Sequence, residues 1–119
     1  MKEDLSILEM LKMQQALWEK HSTEFPPLSP QHGKESILWM IEEIGECISI
    51  LKKKGDIAII ENPIIRAAFI EELCDVLMYY FDTVLRFNIT SSELSAAFIG
   101  KHNKNMNRNF KDEYSQKIF

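Results

Sequence analysis

Between Ile64 and about Phe87 the chain is apolar on almost every side of a helix: Ile65, Phe69, Ile70, Leu73, Val76, Leu77, Tyr80, Phe81, Val84 and Leu85 leave no wide polar stripe. A helix of that kind has to be covered on several sides. Asn62-Pro63 supplies its start, as N-cap and first helical residue. Its acids are the exceptions, because Glu71, Glu72, Asp75 and Asp82 share one side with Ala68, Tyr79 and Arg86. Carboxylates left unpaired on so apolar a helix would each cost several kcal/mol of desolvation.

The partners for this helix are legible on either side. From about Asp4 to His21, Ile7, Met10, Leu11, Leu17 and Trp18 recur at helical spacing. Residues 25–33 hold three of the four prolines and a glycine, so they form a loop, placed where a ligand contact is common. A second helix is expected from about Lys34 to Lys54, with Ile37, Met40, Ile41, Ile44, Ile48 and Leu51 as its inner stripe, lysines in its last turn and Gly55 as its stop. Ile57 to Ile60 resembles a strand but has no partner run, and is expected to be an extended connection.

Thr90-Ser-Ser-Glu93 is a capping-box pattern that opens a further helix, with Leu94, Ala97 and Phe98 facing inward. If that helix persists, the same stripe continues as Lys101, Asn105 and Arg108, turning from apolar to cationic and amide donors. The sum is an all-α chain, a four-helix bundle in a single domain with its core at about 35–110 and a polar tail at 111–119. The 119 residues, 45% of them hydrophobic, suffice for one core and not for two.

A net charge of −4 and the lack of any basic run beyond Lys52–Lys54 argue against a nucleic-acid polymer as partner. No apolar stretch approaches the roughly 18 residues of a membrane span, and the first residues lack an apolar signal region. A soluble cytoplasmic protein is expected, with Cys47 and Cys74 as buried free thiols.

The second helix crowds Glu42, Glu43 and Glu46 into five residues, and Trp39, Glu43, Glu46 and Ile50 form one stripe in which apolar residues bracket the acids. Glu72 and Asp75 repeat the i, i+3 pairing on the apolar third helix. The nearby cations, Arg66, Arg86, Lys101, Lys104 and Arg108, look too few to neutralise both seams. A hard divalent ion fits, since Mg²⁺ takes oxygen ligands and keeps positions open for phosphate. The plainer alternative is a solvated acidic face on one helix and ordinary ion pairs on the other. His21, His32 and His102 are scattered and complete no zinc or di-iron pattern.

"EEIGE" (Glu42–Glu46), "EELCD" (Glu71–Asp75) and the later "KHNKNMNRN" (Lys101–Asn109) together resemble the motifs of the MazG-like all-α nucleoside triphosphate pyrophosphohydrolases, relatives of the dimeric dUTPases and dCTP pyrophosphatases. The resemblance implies Mg²⁺-dependent (Mn²⁺ as substitute) hydrolysis of the α–β anhydride of an NTP or dNTP to a monophosphate and pyrophosphate, for nucleotide-pool house-cleaning, by a homodimer or homotetramer. It makes Glu43, Glu46, Glu72 and Asp75 metal ligands, gives the water-activating role to Glu42 or Glu46, and assigns Lys101, Asn105 and Arg108 to the triphosphate, with Lys104 in reserve. Trp39 is the first candidate to stack on the base, ahead of Trp18, Phe25 and His32. Two alternatives stay open: a non-catalytic helical interaction protein, and a relative acting on phosphoribosyl-ATP.

Overall fold

A computed structural model of the chain describes residues 3–117, with side chains through residue 113. Its elements are helix α1 (Ile7–Lys20), a single 3₁₀ turn (Pro30–His32), α2 (Gly33–Lys54), α3 (Asp56–Glu61), α4 (Pro63–Arg86), α5 (Ser91–Met106) and α6 (Phe110–Lys117). No strand occurs among the described residues, so the all-α expectation holds. The chain divides into two units, Met1–Ile89 and Thr90–Phe119.

In the first unit α2 runs along α4, and α1 and α3 also pack on α4, which makes the apolar helix the centre of the unit. Asn62 caps α4 as its sequence predicts: Oδ1 accepts from the amides of Ile64 and Ile65 at 3.0 and 3.2 Å. At the other end Asn88 takes a positive φ of 56°, the amide of Ile89 bonds the carbonyl of Val84, and that of Asn88 bonds Leu85. This is the Schellman pattern, with asparagine tolerated in the left-handed position. Helix α1 starts at Ile7 rather than near Asp4, because Ser6 and Glu9 form a capping box in which each side chain accepts from the other's amide, at 3.1 and 3.0 Å.

Two expectations about the middle of the chain are corrected. Residues 57–60 are helical within α3; Gly55, at φ +84°, breaks the chain after α2, the Asp56 carboxylate accepts from the Ile57 amide at 2.9 Å, and only Ile59 of the apolar run is buried. With no strand to pair, four isoleucine and alanine residues satisfy their backbone locally. Helix α2 is also rotated relative to its expected orientation. Its buried residues are Gly33, Ser36 and Cys47, whereas Ile37, Ile41, Ile44, Ile48 and Leu51 are between 41% and 56% exposed. The side of α2 that carries Ser36, Glu43 and Cys47 faces α4, and the wider isoleucine stripe faces away from it.

Polar groups dictate that orientation. Ser36, fully buried, has its Oγ 2.8 Å from Thr83 Oγ1 of α4, and each hydroxyl also lies within bonding reach of a carbonyl of its own helix, Gly33 at 2.8 Å and Tyr79 at 3.0 Å. The α-carbon of Gly33 meets the Phe87 ring so closely that a Cβ there would lie 2.4 Å from Cζ. Of the cysteines, Cys47 is buried but Cys74 is exposed, because it lies on the side of α4 that α1, α2 and α3 leave open.

The deepest polar cluster joins α1 to α4. Asp82 Oδ1 accepts from Gln14 Nε2 at 2.7 Å and from Trp18 Nε1 at 2.6 Å; Arg86 donates to the Pro27 carbonyl at 2.6 Å and stacks 4.8 Å above the Trp18 ring. Asp82 is 1% and Arg86 0% exposed.

The second unit holds α5 and α6. Thr90 and Glu93 form the expected capping box, with 3.1 Å bonds in both directions. The expected inner face is not one: Phe98 is 71% exposed and Ala97 is exposed, while Leu94 is half-buried. The helix ends at Met106, so Arg108 lies beyond it and the row of Lys101, Asn105 and Arg108 is not continuous on one helix. The polar tail forms α6 as far as Lys117, and residues 118–119 lie outside the described residues.

The Asp82 cluster predicts asymmetric substitution effects. Asp82→Asn keeps an acceptor for Gln14 and Trp18 but removes the charge that offsets buried Arg86, and should cost about 1–2 kcal/mol of unfolding free energy. Asp82→Ala strands two donors and Arg86, and should cost about 3 kcal/mol or more in urea unfolding.

Candidate functional site

Where α2 and α4 run together, Glu43 meets Glu72 and Asp75. One carboxylate oxygen from each lies within 4.8 Å of the other two, and all three residues are half-buried. Three anions so close repel strongly unless something positive lies between them. Burial, the adjacent Asp75 charge and a hydrogen-bonding contact with Glu72 together push the Glu43 carboxyl above its ordinary value. Three hard oxygen donors converging from two rigid helices suit Mg²⁺ or Mn²⁺ better than a soft metal.

Glu43 and Asp75 also line a cavity of about 510 Å³. Its walls are mostly apolar and include two aromatic pairs: Trp18 and Phe25 lie 4.6 Å apart by ring centroid, and Trp39 and Tyr79 lie 5.8 Å apart. Gln14 and Asp82 supply its other polar groups. Burial first, then the Glu43 and Asp82 charges, push the Tyr79 phenol up, so it remains a neutral hydroxyl able to donate. Apolar walls with a few convergent polar groups are the usual make-up of a small-molecule site.

Of the residues predicted from sequence, the structure brings Glu43, Glu72, Asp75 and Trp39 together, with Trp18 and Phe25 beside them. Glu46 and Glu42 are exposed, and Glu46 is outside the three-acid cluster. His32 does not line the cavity; its Nδ1 lies 3.0 Å from Glu35. Lys101, Lys104, Asn105 and Arg108 belong to the second unit. There Lys101 and Lys104 are exposed, while Arg108 donates to Glu113 at 2.6 Å and to Asn105 Oδ1 at 3.2 Å and stacks 4.6 Å from the Phe110 ring.

Gln14 and Tyr79 were missed as site residues. Gln14 carried a signal, since it is a polar residue between Leu11 and Trp18 on the inward face of α1. Tyr79 was masked by the other aromatics of α4. Cys47 offers no nucleophile: burial first, then the Glu72 charge, push its thiol up and keep it protonated.

No family model matches the chain, and neither a curated protein nor a solved structure matches it.

The raised Glu43 pKa fixes the sign of a pH effect. The folded state holds this proton more tightly than the unfolded state, so the metal-free protein loses stability as pH rises from the ordinary value of 4.5 through the raised one. Thermal unfolding in EDTA should show that decline, and Glu43→Gln should make it shallower, with the raised Asp82 carboxyl supplying the remainder. At neutral pH millimolar Mg²⁺ should raise the Tm of the parent by several degrees, and that of Glu72→Gln hardly at all.

Proposed function

We propose that this chain is a Mg²⁺-dependent nucleoside triphosphate pyrophosphohydrolase of the MazG-like all-α type, converting an NTP or dNTP to its monophosphate and pyrophosphate. The observation that carries the reading is the convergence of Glu43, Glu72 and Asp75 at an aromatic-lined cavity of about 510 Å³. An ion held there would shield phosphate oxygens from the acids and lower the pKa of a bound water. The acids anchor and orient it, while the aromatic walls accept a planar base by stacking.

The remaining roles follow the motif resemblance. Glu42 or Glu46, exposed one residue before and three after Glu43, removes a proton from the attacking water. Lys101, Asn105 and Arg108, with Lys104, would draw the charge of the leaving pyrophosphate. Water adds to phosphorus, the α–β anhydride breaks, and the electron pair departs with pyrophosphate.

A bundle architecture and self-association belong to the same proposal. The exposed stripe on α2 and the exposed Ile70, Leu73, Leu77 and Tyr80 of α4 amount to more apolar surface than a solitary chain usually shows to water. A homodimer or homotetramer covers it. Sedimentation velocity should show an oligomer, shifted toward monomer by Ile44→Lys with Ile48→Glu; a parent that sediments as a monomer at tens of micromolar would refute self-association.

The catalytic reading is tested by monophosphate and pyrophosphate release from canonical and modified NTPs and dNTPs, and from phosphoribosyl-ATP, with Mg²⁺ or EDTA. Turnover should need the metal and fall by at least a hundredfold in Glu72→Gln. Folded protein that turns over nothing would instead favour a helical interaction module, for which the exposed apolar stripes would serve as the contact surface.

A further inference from the structure

Gly45 stands in the middle of α2, where a glycine weakens a helix relative to alanine. Nothing described within the protomer requires it there. A Cβ built on Gly45 would meet no atom of the described residues within 4 Å, whereas Gly33, at the start of the same helix, has the Phe87 ring against it. Gly45 is exposed, and its neighbours four positions before and three after, Ile41 and Ile48, belong to the exposed apolar stripe.

That stripe is symmetric along the chain. Reversing the helix about the point between Ile44 and Gly45 carries Leu38 onto Leu51, Ile41 onto Ile48, and Ile44 onto Gly45. The five large side chains of this set are each between 41% and 56% exposed. The same reversal carries Glu35, in the first turn of α2, onto Lys54, in the last. A two-fold contact uses one patch twice, so the patch has to complement a copy of itself running the other way. Here leucine meets leucine, isoleucine meets isoleucine, acid meets base at the ends, and the bulk of Ile44 meets a position with no side chain. Parallel docking would instead bring Lys52, Lys53 and Lys54 beside their own copies and set one glycine against the other.

We propose that α2 docks antiparallel on α2 of a second copy of this chain, with the two-fold axis between Ile44 and Gly45, so that each Ile44 side chain fills the space over the partner subunit's Gly45. The proposal rests on the self-association put forward above and is independent of the catalytic reading. The missing Cβ lets the two helices approach closely at their crossing, and this contact offsets what the glycine costs the single helix. Glu43 lies on the opposite side of α2, turned to Glu72 and Asp75, so both acid clusters stay outside the seam. Glu42 and Glu46 fall at its rim, where water and salt screen them.

The test works in a Cys74→Ser background, which removes the exposed thiol. Full-length Ile41→Cys and Ile48→Cys chains, distinguishable by mass, are mixed and oxidised with diamide. Antiparallel docking sets these two positions opposite each other, so the disulfide joining I41C to I48C should be the main product; parallel docking gives each variant joined to itself. In parallel, Gly45→Leu should weaken association at least tenfold by sedimentation velocity, while raising the Tm of protein dilute enough to be monomeric, since leucine favours a helix and has room in the single chain. A mixture dominated by like-with-like disulfides, or giving none, overturns the seam even if Gly45→Leu does not fold. Folded Gly45→Leu that associates as the parent does also overturns it, and in both cases self-association itself stands. A parent that stays monomeric at tens of micromolar overturns self-association and this seam together, leaving the stripe to the chain's own second unit or to another protein.

Discussion

Asp82 and Arg86 sit one turn apart on α4 with essentially no exposure, and the placement of the first unit's parts follows from how these two charges are satisfied. Burial acts against both ionised forms, pushing the Asp82 carboxyl up and the Arg86 guanidinium down. Bonds from Gln14 and Trp18, then the Arg86 charge, oppose the shift of Asp82; the Asp82 charge, then Glu35, oppose that of Arg86. Each compensating contact fixes another part of the chain. Gln14 and Trp18 set the rotation of α1, and the Pro27 carbonyl on Arg86 ties the proline loop to the end of α4. A hydrophobic contact would hold α1 nearby; a buried charge holds it in one register.

The same logic explains why α2 turns its isoleucines away from α4. Hydrophobic burial alone would put Ile37, Ile41, Ile44 and Ile48 inside, as their spacing suggests. The Ser36 to Thr83 contact, the Gly33 to Phe87 approach and the meeting of Glu43 with Glu72 and Asp75 instead require the narrower, more polar side to face α4. That arrangement leaves apolar surface without cover in the single chain. An acid cluster on the inside and an apolar stripe on the outside are therefore two results of one rotation, which links a site built by α2 and α4 to the association proposed for the chain.

Elements with local chemistry were legible in the sequence. The Asn62-Pro63 start and the Thr90 capping box need only neighbouring residues, and both occur as written. Glu43, Glu72, Asp75 and Trp39 could be grouped because repeated acids on apolar helices are costly wherever those helices meet. The rotation of α2 was not legible, since two faces of that helix were plausible cores and contacts distant in sequence, Ser36 to Thr83 and Gly33 to Phe87 among them, decided between them. Residues 57–60 misled because a short apolar run has no period of its own. Gln14 and Asp82 became readable as a pair only when α1 was laid against α4, across 68 positions of sequence.

The cavity combines two kinds of destabilising feature that a core built for stability would exclude. At one end three carboxylates crowd together; at the other the Asp82 carboxylate is buried, bonded by Gln14 and Trp18. Hydrophobic side chains of similar volume would hold the helices at least as well. Such groups are costly in the empty protein and are relieved by complementary charge or donors, so their arrangement describes what they complement. A cation answers the first end, while the second is met from within by Gln14, Trp18 and Arg86. Asp75 and Asp82 are both fixed on α4, about two turns apart, so one helix sets the separation of the two charged ends of the cavity.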